Sequence, residues 1–305
     1  MPSTTPSSAS HRTLQQLRQL IAAHTHGEED QDTAIAGLGF FRREQQSQPC
    51  CCMVEPSVVL VVQGEKQMLV GNACYPYNAR HFLLNSIDLP ASSQVLTASP
   101  AQPCMGLVLR LDLRIMAELI AQGGICPPAG QSSQPGMALG TVTAELLDAF
   151  SRLLQLLDQP GDMAVMAPLI KREIHYRLLM SDQASRLWQI LAAGSHSQRI
   201  ARAIDWLKGH YTEPLRIDEL AARVQMSSSS LHHHFRQLTT MSPLQYVKWL
   251  RLNEARRLML SERLEAATAA FRVGYESPSQ FSREYLRLFG LPPKRDISQL
   301  AQLNG

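Results

Sequence analysis

The chain has 305 residues, of which 45% are apolar and 18% charged. That is enough hydrophobic material for two ordinary cores, which excludes global disorder. The formal charge of +3 says little as a total, but residues 196–305 carry 16 Lys and Arg against 10 Asp and Glu, while residues 1–195 carry 13 against 16. An acidic front and a basic rear point the last third toward a polyanion.

In chain order, residues 1–10 lack both the basic and the apolar part of a signal peptide and are expected to form a disordered tail. No run approaches ~18 uninterrupted apolar residues, so no membrane span is expected. With no export signal, the six cysteines (Cys50, Cys51, Cys52, Cys74, Cys104 and Cys126) read as reduced thiols of a cytoplasmic protein.

Residues 11–121 are assigned to a first domain, in which the text from Ala34 to Leu113 reads as short strands. Val58–Val62 is β-branched, Gln63-Gly64-Glu65-Lys66 is a polar turn, Gln67–Val70 is a second strand and Gly71-Asn72 a second turn. Further runs are His81–Leu84, Gln94–Thr97 and Met105–Leu109, with Pro90, Pro100 and Pro103 breaking the text between them. The spacing predicts an antiparallel barrel or sandwich. Residues 122–140, rich in Gly, Pro, Ser and Gln, read as a flexible connection. Beyond it Leu146, Leu147, Phe150, Leu153, Leu154 and Leu157 recur at helical spacing, and a second helix fits Pro168 to Met180. Residues 122–195 are therefore expected to connect and bridge two domains.

Within residues 196–300 two segments match at an offset of 50. Leu231, Phe235 and Leu238 correspond to Phe281, Tyr285 and Leu288; Ser227 corresponds to Ser277; Thr240-Met241-Ser242-Pro243 corresponds to Gly290-Leu291-Pro292-Pro293. Such duplication indicates two copies of one supersecondary unit. Each copy fits a helix-turn-helix, at about 217–240 and 265–290, with the serine capping the second helix. Leu231, Phe235 and Leu238 fall on one stripe facing a core, with Ser229, His232, His233 and Arg236 opposite. In the second copy Ser279, Ser282 and Arg283 face outward. A Ser/His/Arg face without a central acid suits the major groove, where arginine donates two hydrogen bonds to guanine.

Val273-Gly274-Tyr275-Glu276-Ser277-Pro278-Ser279-Gln280-Phe281-Ser282-Arg283-Glu284-Tyr285 through Leu288-Phe289-Gly290 resembles the second-motif signature of the AraC/XylS family of bacterial transcription regulators. Pro243-Leu244-Gln245-Tyr246 with Arg251-Leu252-Asn253-Glu254-Ala255-Arg256-Arg257-Leu258 resembles the same family's linker helix. The front also resembles the AraC-type N-terminal domain of the YqhC-like subgroup, through Glu55-Pro56-Ser57, Gln63-Gly64-Glu65-Lys66, Ser86-Ile87-Asp88-Leu89-Pro90, Leu109-Arg110-Leu111-Asp112 and Pro168–Ile174. The resemblance implies an α+β multidomain chain: a cupin-like antiparallel β-barrel for effector or dimerisation, a helical bridge, and an all-α double helix-turn-helix entering successive major grooves. It places Ser229, His232 and His233, then Ser279, Ser282 and Arg283, at base-reading positions. Lys248, Arg251, Arg256 and Arg257, on or near the linker helix, are candidate phosphate contacts. Two departures from the family pattern, Ala266 with Ala269 and the replacement of a closing aromatic by Lys294-Arg295-Asp296-Ile297, predict a thinner and looser second unit.

His232-His233-His234 cannot close on one metal ion, because successive helical side chains point ~100° apart. His24-Thr25-His26 precedes the strands and His81 stands alone, so no cupin metal site, and no cofactor, is expected. Cys50 and Cys52 would share a strand face with Cys51 opposite. Small side chains at a strand entry are one reading. The other is a thiol switch, with Cys74 or Cys104 across the barrel, which needs a lowered thiol pKa from Arg42, Arg43 or Arg80. No triad or carboxylate pair argues for catalysis. The expected function is promoter recognition controlled by a small molecule. The alternatives are a ligand-independent regulator whose barrel docks a protein, an electrophile or redox sensor, and a barrel enzyme fused to a DNA module. Double-stranded promoter DNA, an effector, RNA polymerase and a second copy of the chain are the expected partners.

Overall fold

Hydrophobic periodicity changes twice along the first two thirds of the chain, and each change marks a layer. The computed structural model describes residues 8–125 and 134–303. The chain divides into two units, residues 1–198 and 199–305.

The first unit opens with α1 (Ser8–Ala23), in which Leu14, Leu17 and Ile21 are buried at helical spacing. Ser8, Ala9 and Ser10 therefore belong to a helix and not to the tail expected over 1–10; residues 1–7 lie outside the described residues. Ten strands follow: β1 (Gln31–Asp32), β2 (Leu38–Arg43), β3 (Cys50–Val54), β4 (Ser57–Gln63), β5 (Glu65–Val70), β6 (Ala73–Tyr77), β7 (His81–Asn85), β8 (Leu89–Thr97), β9 (Cys104–Arg110) and β10 (Met137–Thr141), with α2 (Leu113–Ala121) before the last. They make a six-stranded sheet in the order β1-β2-β9-β4-β7-β10 and a four-stranded sheet in the order β3-β8-β5-β6. All pairings are antiparallel. The double-sheet domain expected from the strand spacing is thus present.

Strand β4 is apolar without alternation because both of its faces are covered. Val58, Leu60 and Val62 pack with α1 and with two later helices, α3 (Ala144–Gln155) and α4 (Pro160–Leu179). Val59 and Val61, buried as well, point the other way, toward the second sheet. Gly64 turns the chain from β4 into β5 at φ +81°, where a Cβ would press on the Thr97 carbonyl and on Cys104.

Three expectations are corrected here. Residues 137–140, the end of the segment assigned by composition to the flexible connection, form β10 together with Thr141 and pair with β7 from Met137↔Asn85 to Thr141↔His81. Residues 126–133, including Cys126, lie outside the described residues. The apolar stripe of α3 does not bridge domains. Leu146, Leu147, Phe150, Leu153 and Leu154 belong to the core of the first unit. Pro90 does not end a run; it is the second residue of β8, where Met53 of the edge strand β3 opposes it.

A buried histidine joins the helices to the sheet. His175 on α4 is fully buried; its Nδ1 lies 2.6 Å from the Lys171 carbonyl and its Nε2 accepts the Asp112 N–H at 2.8 Å. This arrangement fixes the neutral tautomer with the proton on Nδ1. Asp112 is the N-cap of α2, so the ring ties α4 to the end of β9 and the start of α2.

The second unit is all-helical: α6 (His196–His210, entering from the first unit after α5, Ala184–Leu191), α7 (Ile217–Arg223), α8 (Ser228–Thr239), α9 (Pro243–Ser261), α10 (Ala266–Arg272), α11 (Pro278–Phe289) and α12 (Pro293–Leu303). Helix α9 starts on a capping box between Ser242 and Gln245 with Pro243 in its first turn. Its 19 residues span about 28 Å. It packs against α8 at one end and against α10, α11 and α12 at the other, serving both cores.

Burial pushes the His175 pKa below its ordinary value of 6.5. The unfolded chain therefore takes up a proton that the folded chain resists. The contribution of this histidine is complete above about pH 6.5 and shrinks as pH falls below it. Thermal melts should show His175→Gln losing part of the destabilisation between pH 7 and pH 5. Superimposable pH profiles for the variant and the native chain would remove His175 from that role.

Candidate nucleic-acid interface and the space between the sheets

Both helix-turn-helix units are built on the same local chemistry. Ser227 caps α8 by accepting the Ser230 N–H at 3.2 Å, and Ser277 caps α11 by accepting the Gln280 N–H at 3.3 Å. In the first turn Gln225 takes φ +56° and Met226 N–H donates to the Ala221 carbonyl. In the second, Gly274 takes φ +87° and Tyr275 N–H donates to the Ala270 carbonyl. These features repeat at an offset of 49, whereas the caps and the reading helices repeat at 50. One extra residue, Glu276, stands in the second turn.

The expected base-reading residues all lie on the exposed faces of α8 and α11: Ser229, His232, His233 and Arg236 on the first, Ser279, Ser282 and Arg283 on the second. Leu231, Phe235 and Leu238 are buried beneath one face, Phe281 and Tyr285 beneath the other. Arg283 is exposed and donates from Nε to the Ser279 carbonyl at 3.3 Å. Among the described residues, no group of three or more His, Cys, Asp or Glu could hold a metal ion.

The linker-helix cations divide differently from the expectation. Arg251 donates to three backbone carbonyls, Tyr211 at 2.6 Å, Gly274 at 2.9 Å and Glu213 at 2.8 Å. Arg256 grips both oxygens of Asp296 at 2.8 Å, and Tyr285 donates its hydroxyl to the same carboxylate at 2.6 Å. Lys248 donates to Glu284 on α11 at 2.6 Å, and the other oxygen of Glu284 accepts from Tyr275 at 2.7 Å. Arg251 thus gives three of its five N–H donors to backbone carbonyls and Arg256 forks onto Asp296, so both are held by the protein itself. Lys248 is shared with a carboxylate. Arg257 is exposed, holding the carboxylates of Glu254 and Glu262 and donating to the Ser261 hydroxyl at 3.4 Å.

Sequence reasoning missed Asp296 and Glu284. Asp296 is 4% exposed and ties α12 to Arg256 of α9 and Tyr285 of α11. Burial works to raise the Glu284 carboxyl, but Lys248, Tyr275 and Gln280 together hold it below the usual carboxylate range. The one signal available was an acid at each position within a basic segment. Gly274 is required twice over: its φ is positive, and a Cβ would collide with the Thr212 carbonyl.

The space between the sheets gathers a second group. Lys66 on β5 stands directly opposite Tyr77 on β6, so both side chains rise from one face. The Lys66 ammonium reaches the Phe41 ring of the other sheet, 4.1 Å from its centroid. Burial lowers the Lys66 pKa; the one acid acting on it, Asp30, is held by Arg43 at 2.7 Å. The Tyr77 hydroxyl is buried with no hydrogen-bond partner. Cys52 and Cys104 flank this pair, and burial pushes both thiols up to about 11. Lys66 favours thiolate at both and Arg43 does so at Cys104, yet burial prevails. The lowered thiol pKa that a switch requires is thus contradicted at Cys52 and Cys104. Cys50 and Cys74 are exposed, Cys74 donating to Gln67 at 3.1 Å, and Cys51 lies 3.6 Å from the Ser92 hydroxyl.

Two capped helix-turn-helix pairs on one long helix, in a chain that also carries an antiparallel double-sheet unit, define a helix-turn-helix protein with a separate β domain. Residues 34–186 match the family described as AraC-type transcriptional regulator N-terminus, and residues 220–298 match a helix-turn-helix domain. The chain belongs to the AraC-type transcriptional regulators. It is 28% identical over 159 residues to the HTH-type transcriptional activator RhaS of Citrobacter koseri and equally to that of Salmonella schwarzengrund. The match spans 52% of this chain and 56% of those relatives. In fold it is similar to a ToxT variant from Vibrio cholerae in its apo form, with a TM-score of 0.56 and 10% identity over 88% of this chain and 98% of that one. It is likewise similar to wild-type ToxT with unsaturated fatty acid bound, with a TM-score of 0.54 and 12% identity over 85% of this chain and 94% of that one.

If Arg251 is a clamp, Arg251→Ala should cost on the order of 2–3 kcal/mol of stability, because three carbonyls lose a charged donor. Denaturant unfolding of the full chain followed by tryptophan fluorescence reads this directly. Native stability with a salt slope of DNA binding reduced by one would instead return Arg251 to the phosphates.

Proposed function

We propose that the chain is a sequence-specific, DNA-binding transcription regulator that reads promoter DNA with α8 and α11. The observation that carries this is the pairing of two serine-capped helices whose exposed faces present Ser, His and Arg while their partners' faces close two small cores. Groove spacing of about 34 Å, one turn of B-DNA, is what such a pair addresses on one face of the duplex. Activation is the favoured sign of regulation, since the RhaS relatives are activators, and RNA polymerase is then a partner. No helix among the described residues is long and apolar enough to cross a membrane.

We further propose that the β domain is controlled by a small acid. Lys66 and Tyr77 share one face of β5 and β6; the Tyr77 hydroxyl is buried without a partner and the Lys66 ammonium rests on the Phe41 ring. A carboxylate would satisfy both, and burial of a lone ammonium is otherwise costly. ToxT is known with an unsaturated fatty acid and with (E)-4-(8-methylnaphthalen-1-yl)but-3-enoic acid bound, both of them carboxylic acids.

For the DNA reading, Arg283→Ala should weaken binding to a selected operator by about 1–3 kcal/mol and relax preference at one base position. Arg257→Ala should leave preference intact and lower the salt slope by roughly one unit. Anisotropy titrations against the operator and its single-base variants separate the two; an equal loss on every sequence for Arg283→Ala sinks the base-reading role. For the β domain, Lys66→Met should raise the melting temperature of the ligand-free chain and abolish the stabilisation given by decanoate. The same decanoate-induced shift in native and Lys66→Met chains would remove Lys66 from the site.

A further inference from the structure

Helix α6 is attached to both helix-turn-helix motifs, although it belongs to neither. Arg199, in its first turn, donates from Nη1 to the Gln225 carbonyl at 2.6 Å. Gln225 is the left-handed residue of the first motif's turn, at φ +56°, a conformation that a residue with a Cβ keeps only where its surroundings hold it. Further along α6, Trp206 lies under the Arg223 guanidinium of α7, 5.2 Å from the ring centroid, and Ile200, Ala203, Ile204 and Leu207 are buried. The chain leaving α6 meets the second motif instead. Tyr211 packs against the core that contains Val273, Phe281 and Tyr285. The Thr212 carbonyl is the group that a Cβ at position 274 would strike. The Tyr211 and Glu213 carbonyls share Arg251 with the Gly274 carbonyl.

The two attachments match each other. Gln225 and Gly274 are the corresponding left-handed residues of the two turns, and each gives its carbonyl to an arginine from outside its own helix pair, Arg199 in one case and Arg251 in the other. Gln225 stands three residues before α8 and Gly274 four residues before α11. Holding the turn therefore holds the N-terminal end of the reading helix, the end that meets base edges. Helix geometry puts about 18 Å between Arg199 and Tyr211. Helix α9 already joins the two motifs, but one shared helix fixes separation along its axis and leaves rotation about that axis to local packing. A second connection, tied to both turns, removes the rotation.

We infer that Arg199 is a positioning residue for DNA recognition: through it α6 acts as a second strut beside α9 and fixes the spacing at which α8 and α11 meet the duplex. The inference rests on the reading of α8 and α11 as DNA readers and goes beyond it by assigning what sets the distance between half-sites.

The test uses the full chain and a duplex that it selects from a random pool. One base pair inserted midway between the positions relaxed by His233→Ala and by Arg283→Ala moves one half-site by about 3.4 Å and about 34°. The native chain should lose at least about 30-fold in affinity on the lengthened duplex. Arg199→Ala should bind the parent duplex about 10-fold more weakly and lose no more than about 3-fold on the insertion, because a freed first motif follows its half-site. Arg199→Lys keeps a cationic donor for the Gln225 carbonyl and should restore the native spacing penalty. A loss of stability alone lowers affinity for both duplexes equally. An Arg199→Ala chain with the native penalty therefore overturns the inference, as does a lysine variant without it or a native chain indifferent to the insertion. The strut is also read without DNA. The Met226 amide, bonded to the Ala221 carbonyl at 2.9 Å, should exchange its hydrogen at least about 10-fold faster in Arg199→Ala, while the Tyr275 amide of the second turn keeps its native rate. Equal Met226 rates in the two chains overturn the inference. A native chain that selects no duplex removes the DNA reading and leaves the exchange rates to decide the strut.

Discussion

The position of α11 depends on cations of α9 whose charged ends are tied to groups of the protein. Lys248, Arg251 and Arg256 project from one helix, α9, and end on Glu284 of α11, on the Tyr211, Glu213 and Gly274 carbonyls, and on Asp296 of α12. Side chains held in this way lose rotamer freedom on folding, and the loss is offset because each makes charge-assisted hydrogen bonds in a partly dry setting. The arrangement explains why α10 works with Ala269 and Ala270 where bulkier residues would fill a core. Hydrophobic burial is modest there, and directional bonds to Asp296, Glu284 and three carbonyls supply the orientation that packing alone would leave loose.

The space between the sheets is arranged in the opposite sense. There an ammonium stands on an aromatic face without a carboxylate, and a phenol hydroxyl is left without an acceptor. The same chain thus ties the cations of α9 to its own acceptors and leaves the Tyr77 hydroxyl between the sheets without one. Cysteines at this place act as small, neutral packing groups, since burial outweighs the nearby positive charge.

Much of the fold was legible from residues. Strand runs such as Val58–Val62, the serine caps and the 3.6-residue stripe of Leu231, Phe235 and Leu238 are local signals, and local signals survive into the structure. What failed was information about destination. The stripe on α3 announced a buried face but not which core would bury it. Composition around 137–141 is that of a loop, yet an antiparallel neighbour at β7 was enough to order it as a strand. Charge was legible in sign and not in use: Arg251 and Arg257 look alike in sequence, and only the three-dimensional placement of the Tyr211, Glu213 and Gly274 carbonyls separates a clamp from a surface cation.

The network around α9 touches the inner and lateral sides of α11 and stops there. Ser279, Ser282 and Arg283 contribute nothing to the clamps, to the Ser277 cap or to the aromatic core. Their replacement changes what the helix presents without changing how it is held. The residues that hold this twelve-residue helix are therefore different from the ones proposed to read bases. Substitutions at these three exposed positions disturb none of those bonds, while the frame of clamps leaves little room to vary. The protein is built to evolve at its outer face.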